Sequence, residues 1–94
     1  MSATLPPIVK LAERLMLEVE QAVRAFPRYH KYSLGQELRQ QCRDVVRLCY
    51  RAWRARDQQH TLLPALVEGI DDIKLSLQLG SQLRAFRSFA QFEA

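Results

Sequence analysis

Three stretches of this chain repeat apolar residues at alternating steps of four and three, a spacing that suits helices packed side by side and little else. In the first, Ile8, Ala12, Leu15, Val19, Ala22 and Phe26 fall along one stripe, the seam of a helix in a bundle. Val9, Met16 and Val23 widen that stripe, while Lys10, Glu13, Arg14, Glu20 and Arg24 take the wet side. Leu38, Cys42, Val45, Cys49 and Ala52 make a second buried row, flanked by Val46 and Trp53. Leu66, Ile70, Ile73, Leu77 and Gly80 make a third.

Prolines and capping residues punctuate the rows. Pro6 and Pro7 open the first helix, because a first-turn residue needs no N–H, and Pro27 closes it, which predicts a helix over 7–26. A short polar-aromatic link runs from Pro27 to Tyr32. Ser33-Leu34-Gly35-Gln36 then has the form of a capping box, in which a serine hydroxyl and a glutamine side chain satisfy each other's orphan N–H groups. The second helix is expected over 34–57. Thr61-Leu62-Leu63-Pro64 places another proline in a first turn and predicts a third helix over 64–80, weakened near its end by Gly80-Ser81. Ser88 to Gln91 repeats the capping pattern and is expected to open a fourth helix over 88–94, cut short; the alternative is that 81–94 extends the third. The expected fold is all-α, one antiparallel up-down helical bundle over residues 1–94 with three full helices and a short fourth.

Composition agrees with a packed chain. Hydrophobic residues make up 48% and charged residues 26% of the 94, which excludes disorder. Turn clusters and β-branched alternation are too sparse for a sheet protein. A single domain of this size buries only about 60–65% of the surface its unfolded form exposes, so association would help it. The start of the chain lacks a basic segment followed by an apolar run, and no stretch approaches the length of a membrane span. A cytoplasmic protein without membrane contact is expected.

Charge is where function is legible. The formal net charge is +4. Between Arg28 and Arg56 there are eight Lys/Arg and two Asp/Glu, a local +6, so the remainder of the chain sums to −2. With Arg39 at 0° on a helical wheel, Arg43, Arg47, Arg51 and Arg54 fall at about 40°, 80°, 120° and 60°. The second buried row centres near 270°, so five arginines share one sector roughly opposite it. Arg56 falls on the core side at the helix end, where it reaches C-terminal carbonyls. Solvated faces usually mix both signs, yet Arg39/Arg43, Arg43/Arg47 and Arg47/Arg51 are all repulsive i,i+4 pairs. Only Glu37 and Asp44 sit near enough to relieve them. The row is a local cost unless something negative lies across it, which suits RNA, DNA or an acidic protein surface. Arg28 and Lys31 of the link extend the basic set.

The remaining candidates read as structure. Cys42 and Cys49 lie about 10 Å apart along one helix, too far for a disulfide, and both belong to the apolar row. His30 and His60 read as isolated loop residues without helical partners. Asp71 and Asp72 point about 100° apart and are expected in solvent. Tyr29 and Tyr32 are expected to pack over the bundle end, with stacking on bases as the alternative. Phe86, Phe89 and Phe92 want burial or a partner. No phosphate-binding glycine loop, GxSxG or HExxH occurs, and no cysteine pair has zinc spacing. An enzyme, a metal and a cofactor are not expected.

Phe26-Pro27-Arg28 followed by Tyr32-Ser33-Leu34-Gly35, Leu63-Pro64, and the segment from Leu83 to Glu93 together resemble the Avd-type four-helix bundle family. These are the accessory variability determinants of diversity-generating retroelements, similar to bundle proteins encoded in intervening sequences of large ribosomal RNA genes. The likeness covers nearly the whole chain, although little sequence remains for a fourth helix. It implies a non-enzymatic accessory protein that binds a reverse transcriptase and its template RNA, as a homo-oligomer of the family's pentameric, positively charged kind. The arginine row from Arg39 to Arg54 corresponds to the family's basic second helix. The nucleic-acid contacts are thus expected at Arg28, Lys31, Arg39, Arg43, Arg47, Arg51 and Arg54, and partner contacts at Phe86, Phe89 and Phe92. The alternative expectation is a stand-alone helical-bundle interaction module that touches no nucleic acid.

Overall fold

The computed structural model describes residues 6–83. Four α-helices follow one another there: α1 (Pro7–Arg24), α2 (Arg28–Lys31), α3 (Leu34–Arg54) and α4 (Gln59–Gln82), with a 3-10 turn at Arg56–Gln58. Among the described residues there is no strand, as the apolar spacing requires. The expected fourth helix over 88–94 lies outside the described residues, as do Phe86, Phe89 and Phe92.

The pairing of residues across the interfaces gives the helix directions. Glu13 meets Tyr50 and Glu20 meets Arg39, so α1 and α3 run antiparallel. Gln59 reaches Ala52, and Gly69 lies against Val45, so α3 and α4 are antiparallel as well. α3 is the central helix. α1 and α4 pack along its two sides and have little contact with each other, which leaves an apolar groove between them, floored by Val45 and Cys49.

The α3 row is buried as its spacing requires: Leu38, Cys42, Val45, Cys49 and Ala52 are all in the core. The expected α1 seam is buried at Ala12, Val19, Ala22 and Phe26 and departs only along one edge. Val9 and Val23 are at its heart with no exposed surface, whereas Ile8 remains 51% exposed and Leu15 is half-buried. The reason is that α1 has α3 as its neighbour and not α4, so its buried stripe turns toward α3 and the Ile8–Leu15 edge is left facing the groove. α4 behaves likewise: Leu66, Ile73 and Gly80 are buried, and Ile70 and Leu77 are half-buried.

Helix ends differ from expectation in several places. α1 stops at Arg24, and Ala25 and Phe26 close a turn through their N–H groups to Ala22 and Val23, since Pro27 disfavours helix at the residue before it. The link contains α2, with Pro27 at its N-cap. Ser33 makes no capping hydrogen bond to α3. Its hydroxyl instead donates to the carbonyls of Tyr29 and His30, each at 3.4 Å, because the preceding turn is helical and its last carbonyls need donors. Gln36 accepts from Arg39 in place of closing a box. α3 ends at Arg54 because Ala55 leaves helical geometry, at φ −113° and ψ 77°.

α4 starts at Gln59, five residues ahead of Pro64, which therefore sits inside the helix. The carbonyl that Pro64 leaves without an intrahelical donor is that of the exposed His60, where water can satisfy it. Gln59 fixes the start of α4 by donating from Nε2 to the Ala52 carbonyl at 2.9 Å. Gly35 fixes the other end of the molecule. A Cβ there would lie 2.7 Å from Val23 Cγ1 and 3.4 Å from the His30 carbonyl, so glycine is what lets α2 and α1 approach the first turn of α3.

Candidate nucleic-acid interface

The buried arc of α3 takes in its apolar row and also the flank that faces α1. Arg39 lies on that flank. Its Nη2 contacts Glu20 Oε2 at 2.8 Å, its Nη1 donates to Gln36 Oε1 at 3.2 Å, and only 20% of its side chain is exposed. Its Nε is buried without a hydrogen-bond partner. Arg39 is thus a strut between α1 and α3 and does not stand in the outward row. The wheel misplaced it because the angle was measured from the α3 row alone. The register of α1, which brings Glu20 alongside, is not encoded in α3. Glu13 was misread for the same reason: it accepts a hydrogen bond from Tyr50 Oη at 3.2 Å instead of facing water.

The other four arginines of the row face solvent. Arg43, Arg51 and Arg54 are exposed and have no carboxylate within 4 Å among the described residues. Arg47 approaches Asp44 at 3.5 Å with both side chains more than half exposed, a pair of little energetic weight. Asp44 also accepts from Gln40 at 3.0 Å. From Arg43 to Arg54 the row runs about 16 Å along α3. Arg28 is exposed and Lys31 half-buried on α2, next to the N-terminal end of α3, so the basic residues extend beyond the row at that end. The surface these side chains make can hold phosphates by charge and by the forked guanidinium geometry.

Tyr29 and Tyr32 do not pack over the bundle end. They are 86% and 70% exposed. His30 and His60 are helical, in α2 and in the first turn of α4 respectively, and not in loops. Asp71 and Asp72 are exposed as expected.

Cys42 and Cys49 are free and buried. Burial pushes the Cys42 thiol up to about 11 and the Cys49 thiol in the same direction, so neither is a nucleophile near neutral pH. Burial, then the nearby Glu13 charge and the hydrogen bond to it, raise the Tyr50 phenol as well. Among the described residues no group of three His, Cys, Asp or Glu could hold a metal ion, and no helix is long and apolar enough to cross a membrane.

A second surface was not foreseen. The α1/α4 groove is lined by Ile8, Leu11, Leu15, Val45, Cys49 and Ile70, encloses about 160 Å³, and offers almost no polar atom. Its α1 wall is an apolar edge left in water, with Ile8 51% and Leu11 61% exposed; outside the groove, α4 leaves Leu63, Val67, Leu75 and Leu79 42–58% exposed. No protein-family model, curated protein or solved structure matches this chain.

Proposed function

We propose that this chain is a non-enzymatic accessory protein of a diversity-generating retroelement, binding template RNA through the outward arginine face of α3 and assembling with a reverse transcriptase. The observation that carries the reading is the row itself: Arg43, Arg47, Arg51 and Arg54 share one wet sector, and among the described residues Asp44, beside Arg47, is the one carboxylate within 4 Å of any of them. A helix tolerates such a row when a polyanion compensates it. Arg28 and Lys31 extend the contact, and Arg39 acts indirectly by tying α3 to α1. The family named comes from the motif resemblance, which also suggests the homo-oligomer, a pentamer, and a fourth helix completing the bundle.

A salt titration against a structured RNA tests this. Wild-type affinity is expected to fall steeply with salt, with log K dropping by ~0.7–0.9 per phosphate neutralised for each decade of salt. Replacing Arg43, Arg47, Arg51 and Arg54 by glutamine is expected to remove most of that slope. No affinity at low salt, or an unchanged slope in the variant, removes the reading.

The second reading is a stand-alone protein-interaction bundle. The α1/α4 groove favours it, since an apolar trough of this kind accepts a helix. It predicts that Leu11→Glu abolishes partner capture while the arginine variants keep it.

A further inference from the structure

Tyr29 in α2 and Tyr32 at its C-cap are a cost that the bundle does not recover. Each is mostly exposed to water, 86% for Tyr29 and 70% for Tyr32. They are three residues apart on and just after a one-turn helix, so they lie toward the same side of it.

The segment around them is tied to the bundle. Pro27 starts the turn, the Ser33 hydroxyl holds the carbonyls of Tyr29 and His30 at its end, and the missing Cβ of Gly35 lets the His30 carbonyl approach α3. The His30 ring meets Tyr29 edge-on, with centroids 5.2 Å apart and planes at 82°. The neighbours in sequence are Arg28, His30 and Lys31, and no carboxylate occurs between residues 25 and 36. Exposed aromatic rings on a one-signed basic support are what unpaired bases need: a π-face to stack on and cations for the backbone. The cations call for an acidic partner, and the exposed rings beside them favour one with flat bases to stack.

We infer that Tyr29 and Tyr32 form a stacking platform for unpaired nucleotides, with Arg28 and Lys31 holding the adjoining phosphates. This rests on the proposed RNA-binding function and deepens it: the RNA carries a single-stranded segment that meets α2 while its phosphates elsewhere follow α3.

The test uses the full chain, a uridine oligomer of about ten nucleotides, and an RNA duplex of similar length. Replacing both tyrosines by alanine is expected to weaken single-strand binding on the order of 5- to 100-fold. Duplex affinity should stay within about twofold, and tyrosine-to-phenylalanine replacement should restore the single-strand affinity. Because stacking releases no counterions, the fold-effect should persist as salt rises while the arginine contribution collapses. The side chains are exposed, so circular dichroism of the alanine pair should match wild type. Single-strand affinity unchanged in the alanine pair overturns the inference and leaves a protein contact as the role of the rings. That result leaves the arginine-face reading intact, whereas a wild-type chain that binds neither RNA sinks both.

Discussion

α3 and α4 are of similar length, 21 and 24 residues, and they divide their surfaces in opposite ways. α3 keeps every apolar row residue inside and lines its outer face with charge. α4 buries Leu66 and Ile73 yet leaves Leu63, Val67, Leu75 and Leu79 in water. α3 has neighbours on two sides, so its core face is fully used. α4 has one main neighbour, and its surplus apolar surface has none among the described residues. A sharply divided helix reports how a bundle is held together. A poorly divided one reports where the bundle is open to something else.

The widest gap between the two helices should appear in their leucines. Leu38→Ala removes a side chain with no exposed surface in the second turn of α3 and should cost about 2–5 kcal/mol in urea unfolding. Leu75→Ala on α4, 55% exposed, should stay within about 0.5 kcal/mol. Equal losses at both sites would erase the contrast.

The α3 core should also give the molecule an alkaline limit. The Cys42 thiol is raised from 9.0 to about 11 in the folded chain, so the folded state holds its proton more tightly than the unfolded state. The associated stability is complete below pH 9 and is lost as pH rises through about 11. Tyr50 is shifted in the same direction and acts in the same sense. Cys42→Ala should flatten the stability profile above pH 9, which thermal melts across that range would record.

Smaller effects probe how α3 is joined to its neighbours. Gly35→Ala must displace Val23 or the α2 backbone and should cost about 1–3 kcal/mol. Glu20→Gln weakens the hold on the part-buried Arg39 and should cost about 1 kcal/mol. Glu18→Gln, whose partner Arg14 is 78% exposed, should be close to neutral. If the two glutamate variants melt together, Arg39 is not a strut.

How much of this was legible beforehand follows from what each feature depends on. The α3 row and its cysteines could be read directly, because a helix flanked on both sides buries the stripe its own period defines. On α1 the seam was legible at Ala12, Val19, Ala22 and Phe26, and the Ile8–Leu15 edge stayed out of the core because α4 makes little contact there. Arg39 and Glu13 were misread because their partners sit on another helix, and the register between helices leaves no mark in either one's periodicity. Pro64 misled because a proline one turn inside a helix costs a single hydrogen bond, which an exposed start such as His60 can lose. Tyr29 and Tyr32 were assigned by hydrophobicity to a burial that the one-turn α2 does not provide.

The central claim is that the outer face of α3 holds uncompensated like charge. Thermal unfolding of the Arg43, Arg47, Arg51 and Arg54 to glutamine variant beside wild type, at low and high salt, tests it most directly. At low salt the relief of repulsion, on the order of 0.5–1 kcal/mol, should raise the melting temperature by about 3–6 °C, and the gap should close as salt screens the row. A variant that melts below wild type, or a gap that ignores salt, would contradict the account.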